Sequence, residues 1–151
     1  MNRAACLAVL LVSVPSAVVL AQGYLQPSMI RTPSGLCLDL AGDFNHASPP
    51  PVGTHVIVAT CDGSDAQRWN ISMGDYQGML MSIGGHSVGG DATHAALVAQ
   101  TQSSRLIDAA IHVGGSCATT PVNAHAGDAV MIKPCNGSPE QRFDSSELAR
   151  R

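Results

Sequence analysis

The chain has 151 residues, eight Lys and Arg against eleven Asp and Glu, a formal net charge of −3, and 45% hydrophobic but only 3% aromatic residues. An acidic chain with scattered basic residues has no electrostatic footprint for nucleic acid or anionic membranes. Past its N-terminal stretch, no run approaches the roughly 20 apolar residues that a membrane-spanning helix needs.

Met1, Asn2 and Arg3 make a short positive start, residues 4–20 are almost wholly apolar, and Val19, Leu20 and Ala21 suit cleavage after Ala21. Residues 1–21 therefore read as a secretory signal peptide, with one exported domain over 22–151. The expected location is extracellular, or periplasmic in a Gram-negative source. Cysteine usage agrees: of five cysteines Cys6 falls in the signal, leaving Cys37, Cys61, Cys117 and Cys135. An even number suits an oxidising compartment.

Short strand-like runs follow at 28–31, 36–40, 55–60, 68–72, 79–83, 95–100 and 130–133, separated by turn clusters such as Ser48-Pro49-Pro50-Pro51-Val52-Gly53. Many short strands at such spacing predict an all-β sandwich or barrel. Within them a phrase recurs. Cys61-Asp62-Gly63-Ser64-Asp65-Ala66-Gln67-Arg68-Trp69 returns as Cys135-Asn136-Gly137-Ser138-Pro139-Glu140-Gln141-Arg142-Phe143, each with a cysteine upstream.

Self-similarity of this kind dictates a repeat architecture. Two clear units span about 28–72 and 112–146, with room for one more at 73–111. In that middle unit Ser87 would stand for Cys37 and Thr101 for Cys61. Its Gln-x-aromatic would be replaced by something like Ile107-Asp108-Ala109. Four cysteines allow three pairings, and the repeat selects Cys37–Cys61 and Cys117–Cys135. Loops of that length stabilise by about 3 kcal/mol each on the chain-entropy argument. A zinc site is the competing reading, but no CxxC spacing occurs, and no metal or cofactor is expected.

A glycine before Cys-Leu-Asp, Gly-Thr before an alternating strand, Cys-Asp/Asn-Gly-Ser and then Gln-x-aromatic together resemble the ricin B-type β-trefoil lectins. The resemblance implies an all-β trefoil of three pseudo-symmetric repeats, the middle one degenerate, with one disulfide inside each outer repeat. Trp69, Gln141 and Phe143 would then be core and framework, with large apolar area buried by the aromatics and irregular backbone satisfied by the glutamines.

In the family an Asp after Cys-Leu accepts from sugar hydroxyls, an aromatic before the second cysteine stacks on the ring, and an Asn precedes the motif's Gln. The first unit keeps the Asp as Asp39 but has Val58-Ala59 at the platform and Ala66 at the Asn position. The third unit has Thr119, Lys133 and Glu140, and the middle unit has Gly89 for the Asp. Phe44, Asn45, His46 and His55, on the long loop after Asp39, are candidates to supply the missing contact. Asp39 at a turn equally suits a local backbone cap.

The resemblance thus implies a secreted, non-enzymatic glycan-binding module, weak or single-site, with Asp39, His55 and Gln67 as site residues. The alternative is a degenerate trefoil that binds a partner protein or cell surface. A third reading comes from Gly85-His86-Ser87-Val88-Gly89, which matches a serine-hydrolase elbow, though the first 50 mature residues offer no βαβ pattern to carry one. Asn70-Ile71-Ser72 and Asn136-Gly137-Ser138 are N-glycan acceptor sequences in a eukaryotic source.

Overall fold

The structure, a computed structural model, describes residues 27–71, 78–99 and 104–147. The expected signal peptide and Thr101 lie outside them. The described residues form ten short strands: β1 Cys37–Leu40, β2 Val56–Ala59, β3 Asn70–Ile71, β4 Leu80–Met81, β5 Ser87–Gly90, β6 Ala95–Val98, β7 Ser104–Ile107, β8 Ala110–Val113, β9 Ser116–Thr119 and β10 Met131–Pro134. Among the described residues the only helical segments are single 3-10 turns at Asp65–Gln67 and Pro139–Gln141.

Three hairpins, β1–β2, β5–β6 and β9–β10, are antiparallel pairs in corresponding registers: Cys37 faces Ala59, Ser87 faces Val98, and Cys117 faces Lys133. They lean on one another through backbone bonds from Val58 to Asp128, from Ala95 to Val130 and from Leu97 to Thr54. Below them, the last strand of each unit pairs with the first strand of the next: β3 with β4, and β7 with β8. The ring closes where Asp144 and Arg31 exchange backbone hydrogen bonds. A closed barrel capped by a triangle of hairpins is a β-trefoil, and closure removes the exposed edges an open sheet would carry.

The core is built in threes: Ile30, Leu80 and Ile111, then Leu38, Val88 and Ala118, then Val58, Leu97 and Ile132 are all buried. Trp69 and Phe143 are buried at one further threefold position, and the third place is taken by half-buried Leu106. The Trp69 N–H bonds to the Ser28 carbonyl at 2.9 Å, that of Phe143 to Ala109 at 2.7 Å, and that of Leu106 to Gly78 at 3.2 Å. The middle unit's counterpart of Gln-Arg-aromatic is therefore Ser104-Arg105-Leu106, not Ile107-Asp108-Ala109. Asp108 and Ala109 instead form the tight β7–β8 turn, both at positive φ.

Both disulfides pair as the repeat implied, Cys37–Cys61 and Cys117–Cys135. In the middle unit, Ser87 takes the place of Cys37. Its Oγ lies 3.1 Å from Ser104 Oγ and accepts the Ser104 N–H at 2.9 Å. Both hydroxyls also reach the Leu80 carbonyl, at 3.2 and 3.3 Å. A buried hydrogen-bonded serine pair stands where the other units place a half-cystine and a glutamine.

Candidate functional site

The 3-10 turn at Asp65–Gln67 carries Gln67 inward, where it is fully buried. Its Oε1 accepts the N–H groups of Asp62 and Gly63 at 2.9 and 3.3 Å. Its Nε2 donates to the Thr60 carbonyl at 2.8 Å and to Asp39 Oδ2 at 2.9 Å. All four hydrogen-bonding positions of the amide are filled. Gln67 fixes the turn and aims Asp39, and nothing of it remains to meet a ligand. Gln141 repeats the arrangement, accepting from Asn136 and Gly137 and donating to Pro134 and to Thr119 Oγ1.

Asp39 is half-buried on β1. Its Oδ1 accepts the Leu40 N–H at 2.7 Å and its Oδ2 accepts from Gln67. A carboxylate offers about four lone-pair sites, so roughly two are left for an incoming hydroxyl pair. Burial pushes its carboxyl up from the usual aspartate value, and the neighbouring Asp62 charge adds to this against the lowering by Gln67 and Leu40. Asp39 caps the local backbone and still keeps lone pairs open beside it.

A cleft of about 180 Å³ opens beside it, lined among others by Gly42, Phe44, Asn45, Asp62 and Ala66. Asn45 Oδ1 accepts from the Ala47 and Ser48 N–H groups, which leaves its amide nitrogen as donor. Asp62 holds its turn by accepting the Ser64 N–H at 2.7 Å, and hydrogen bonds from Ser64 keep its carboxyl below the ordinary value. The ring of Phe44 lies so close to the Cα of Gly42 that a Cβ there would sit 2.8 Å from Cε2. Only glycine lets the loop fold that ring down beside Asp39.

The aromatic side chain in this cleft comes from the loop rather than from β2, where Val58 is core. Proximity in the fold, not spacing in the sequence, separates Phe44 and Asn45 from the two histidine candidates. His55 does not line the cleft. It is exposed and stacks on His94 of the middle unit, ring centroids 4.8 Å apart. His46 is exposed and also outside the lining.

The other units carry no carboxylate at the place of Asp39. Register puts Gly89 and Thr119 at the place of Asp39. A Cβ on Gly89 would meet Val98 Cγ1 at 2.6 Å, so the valine fills the space. Thr119 is buried, with Oγ1 donating to the Cys117 carbonyl and accepting from Gln141. Ser87, the nucleophile of the hydrolase reading, is fully buried on β5 with its Oγ spent on Leu80 and Ser104. An oxygen held this way, with no imidazole among its partners, does not meet a substrate.

No protein-family model matches the chain, and no curated protein matches it. Solved structures do. A designed threefold-symmetric protein, ThreeFoil, aligns at 19% identity over 80% of this chain and 95% of its own, with a TM-score of 0.60. The C-half of an earthworm R-type lectin, solved with GalNAc, aligns at 17% identity over 79% and 96%, with a TM-score of 0.61. The hemolytic lectin CEL-III aligns at 17% identity and a TM-score of 0.54; the match covers 80% of this chain but 29% of that one. At these identities the likeness is one of fold.

Proposed function

We propose that the chain is a secreted, ricin B-like glycan-binding module with a single functional site, in the first of its three units. The observation that carries this is the Asp39 carboxylate, aimed by Gln67 into a cleft that also holds an aromatic face. A sugar needs acceptors for its hydroxyls and a flat apolar surface for its C–H groups, and among the described residues only this unit offers both. Asp39 accepts the hydroxyls, Phe44 supplies the face, and the Asn45 amide donates. Gln67 is a positioning residue. His55 is assigned no contact, because it stacks elsewhere.

The cleft is rich in acceptors and acidic, with Asp39, Asp43 and Asp62 on its walls. That favours neutral, hydroxyl-rich glycans and repels sialylated or sulfated ones. The neighbour solved with GalNAc makes GalNAc and galactose the first probes. One shallow site implies weak affinity, since association must first overcome several kcal/mol of lost freedom.

The test is a glycan array with wild type and Asp39→Thr, the residue the third unit carries at that place. Binding to neutral glycans that disappears in the variant supports the reading. A blank array on a chain whose circular dichroism shows an intact β fold contradicts it. That outcome favours the alternative, a trefoil that binds a protein or cell-surface partner, which the loss of acceptors in two units also fits.

A further inference from the structure

In the third unit His112 lies on β8 directly across from Cys117. Its Nδ1 is 3.8 Å from Cys117 Sγ and 3.8 Å from Cys135 Sγ. The three potential ligand atoms lie within 4.8 Å of one another. A cavity of about 370 Å³, walled also by Asp108 and Arg142, opens on them. Cys117 is buried and Cys135 exposed, so access is from the Cys135 side.

The corresponding residues of the other units cannot do the same. Register places Arg31 opposite Cys37 and Met81 opposite Ser87. Arg31 Nη1 stands 2.9 Å from Cys61 Sγ, but a guanidinium keeps its proton and has no lone pair to give. Among the described residues, only the third unit combines two sulfurs with a nitrogen able to ligate.

We propose that reduction converts the Cys117–Cys135 disulfide, with His112, into a three-ligand site for a thiophilic divalent cation such as Zn²⁺. A dithiol supplies the two electrons: the S–S bond breaks, each cysteine sulfur gains one electron and one proton, and the dithiol closes to its own disulfide. The cation then displaces the two thiol protons and takes His112 through an unprotonated Nδ1. Zn–S bonds of about 2.3 Å and Zn–N bonds of about 2.0–2.1 Å place tetrahedral ligands about 3.6 Å apart. The imidazole already stands at nearly that distance from both sulfurs, so only the sulfurs need to separate. The fourth position faces the cavity and is left to water. The unit would remain cross-linked in either redox state, by a disulfide or by a metal.

The test uses the full mature chain, reduced anaerobically with a phosphine and titrated with Co²⁺. Expected are a thiolate-to-cobalt charge-transfer band and visible bands of four-coordinate cobalt, saturating at one equivalent. Both should be absent from the oxidised chain. His112→Arg, the residue the first unit tolerates there, should weaken Co²⁺ binding at least tenfold, and Cys117→Ser/Cys135→Ser should abolish it. Circular dichroism follows the fold throughout, and any β signal lost on reduction should return with Co²⁺. No bands, bands that His112→Arg leaves unchanged, or bands without recovery of the fold would overturn the proposal.

Discussion

A half-buried carboxylate is costly to keep ionised, and Asp39 is raised above its ordinary value of 3.8, chiefly by burial. Between that unfolded value and the higher folded one, the native chain holds more protons than the unfolded chain, so stability falls as pH rises through this window. Ionised Asp39 therefore opposes folding at neutral pH. Acidification should abolish glycan binding with a midpoint above 3.8, without this group weakening the fold; affinity and circular dichroism against pH check it, and a midpoint at or below 3.8 contradicts it. Phe44→Ala should weaken binding about five- to tenfold, the worth of one aromatic face, as measured by calorimetry. Asp39 could be singled out in the sequence because it follows Cys37-Leu38, where the resemblance places a hydroxyl acceptor. Phe44 could be named only as one of several loop residues, since its place beside Asp39 depends on the path that Gly42 permits.

The two Gln-containing turns are the same structural element with different consequences. Gln67→Ala and Gln141→Ala each strand two N–H groups and a carbonyl around a buried side chain. Each should cost about 2–3 kcal/mol in chemical denaturation, given about 1–3 kcal/mol for an unsatisfied buried group. Only Gln67→Ala should also reduce binding, because only it releases Asp39. The middle hairpin gives the converse prediction. Gly89→Asp restores the residue type but drives its Cβ into Val98. It should destabilise by about 1–3 kcal/mol and add no second site by calorimetric stoichiometry. Strands β5, β7, β8 and β9 escaped the sequence reading for related reasons. Ser87-Val88-Gly89-Gly90 reads as a turn, and Ser104-Arg105-Leu106-Ile107 carries neither cysteine nor aromatic. Pairing makes both segments strands, β5 between β4 and β6 and β7 against β8, a tertiary context that overrides weak local propensity.

At the scale of the whole molecule, pseudo-threefold symmetry governs the core and not the surface. The buried positions recur in all three units, even where Leu106 replaces an aromatic and a serine pair replaces a disulfide and glutamine. That is why the trefoil and both disulfides were legible from two copies of one phrase. The acceptor position carries Asp39, Gly89 and Thr119 in turn, a variation the packing tolerates because each solution satisfies its own surroundings. The claim of one site in the first unit is tested most directly by titrating the isotope-labelled chain with GalNAc, or with the best-bound array glycan, and following backbone amide resonances. The expected shifts are confined to Asp39, residues 42–45 and residues 62–66, with one-site saturation. Shifts centred on residues 89–91 or 119–124, or none at a saturating concentration, would contradict it.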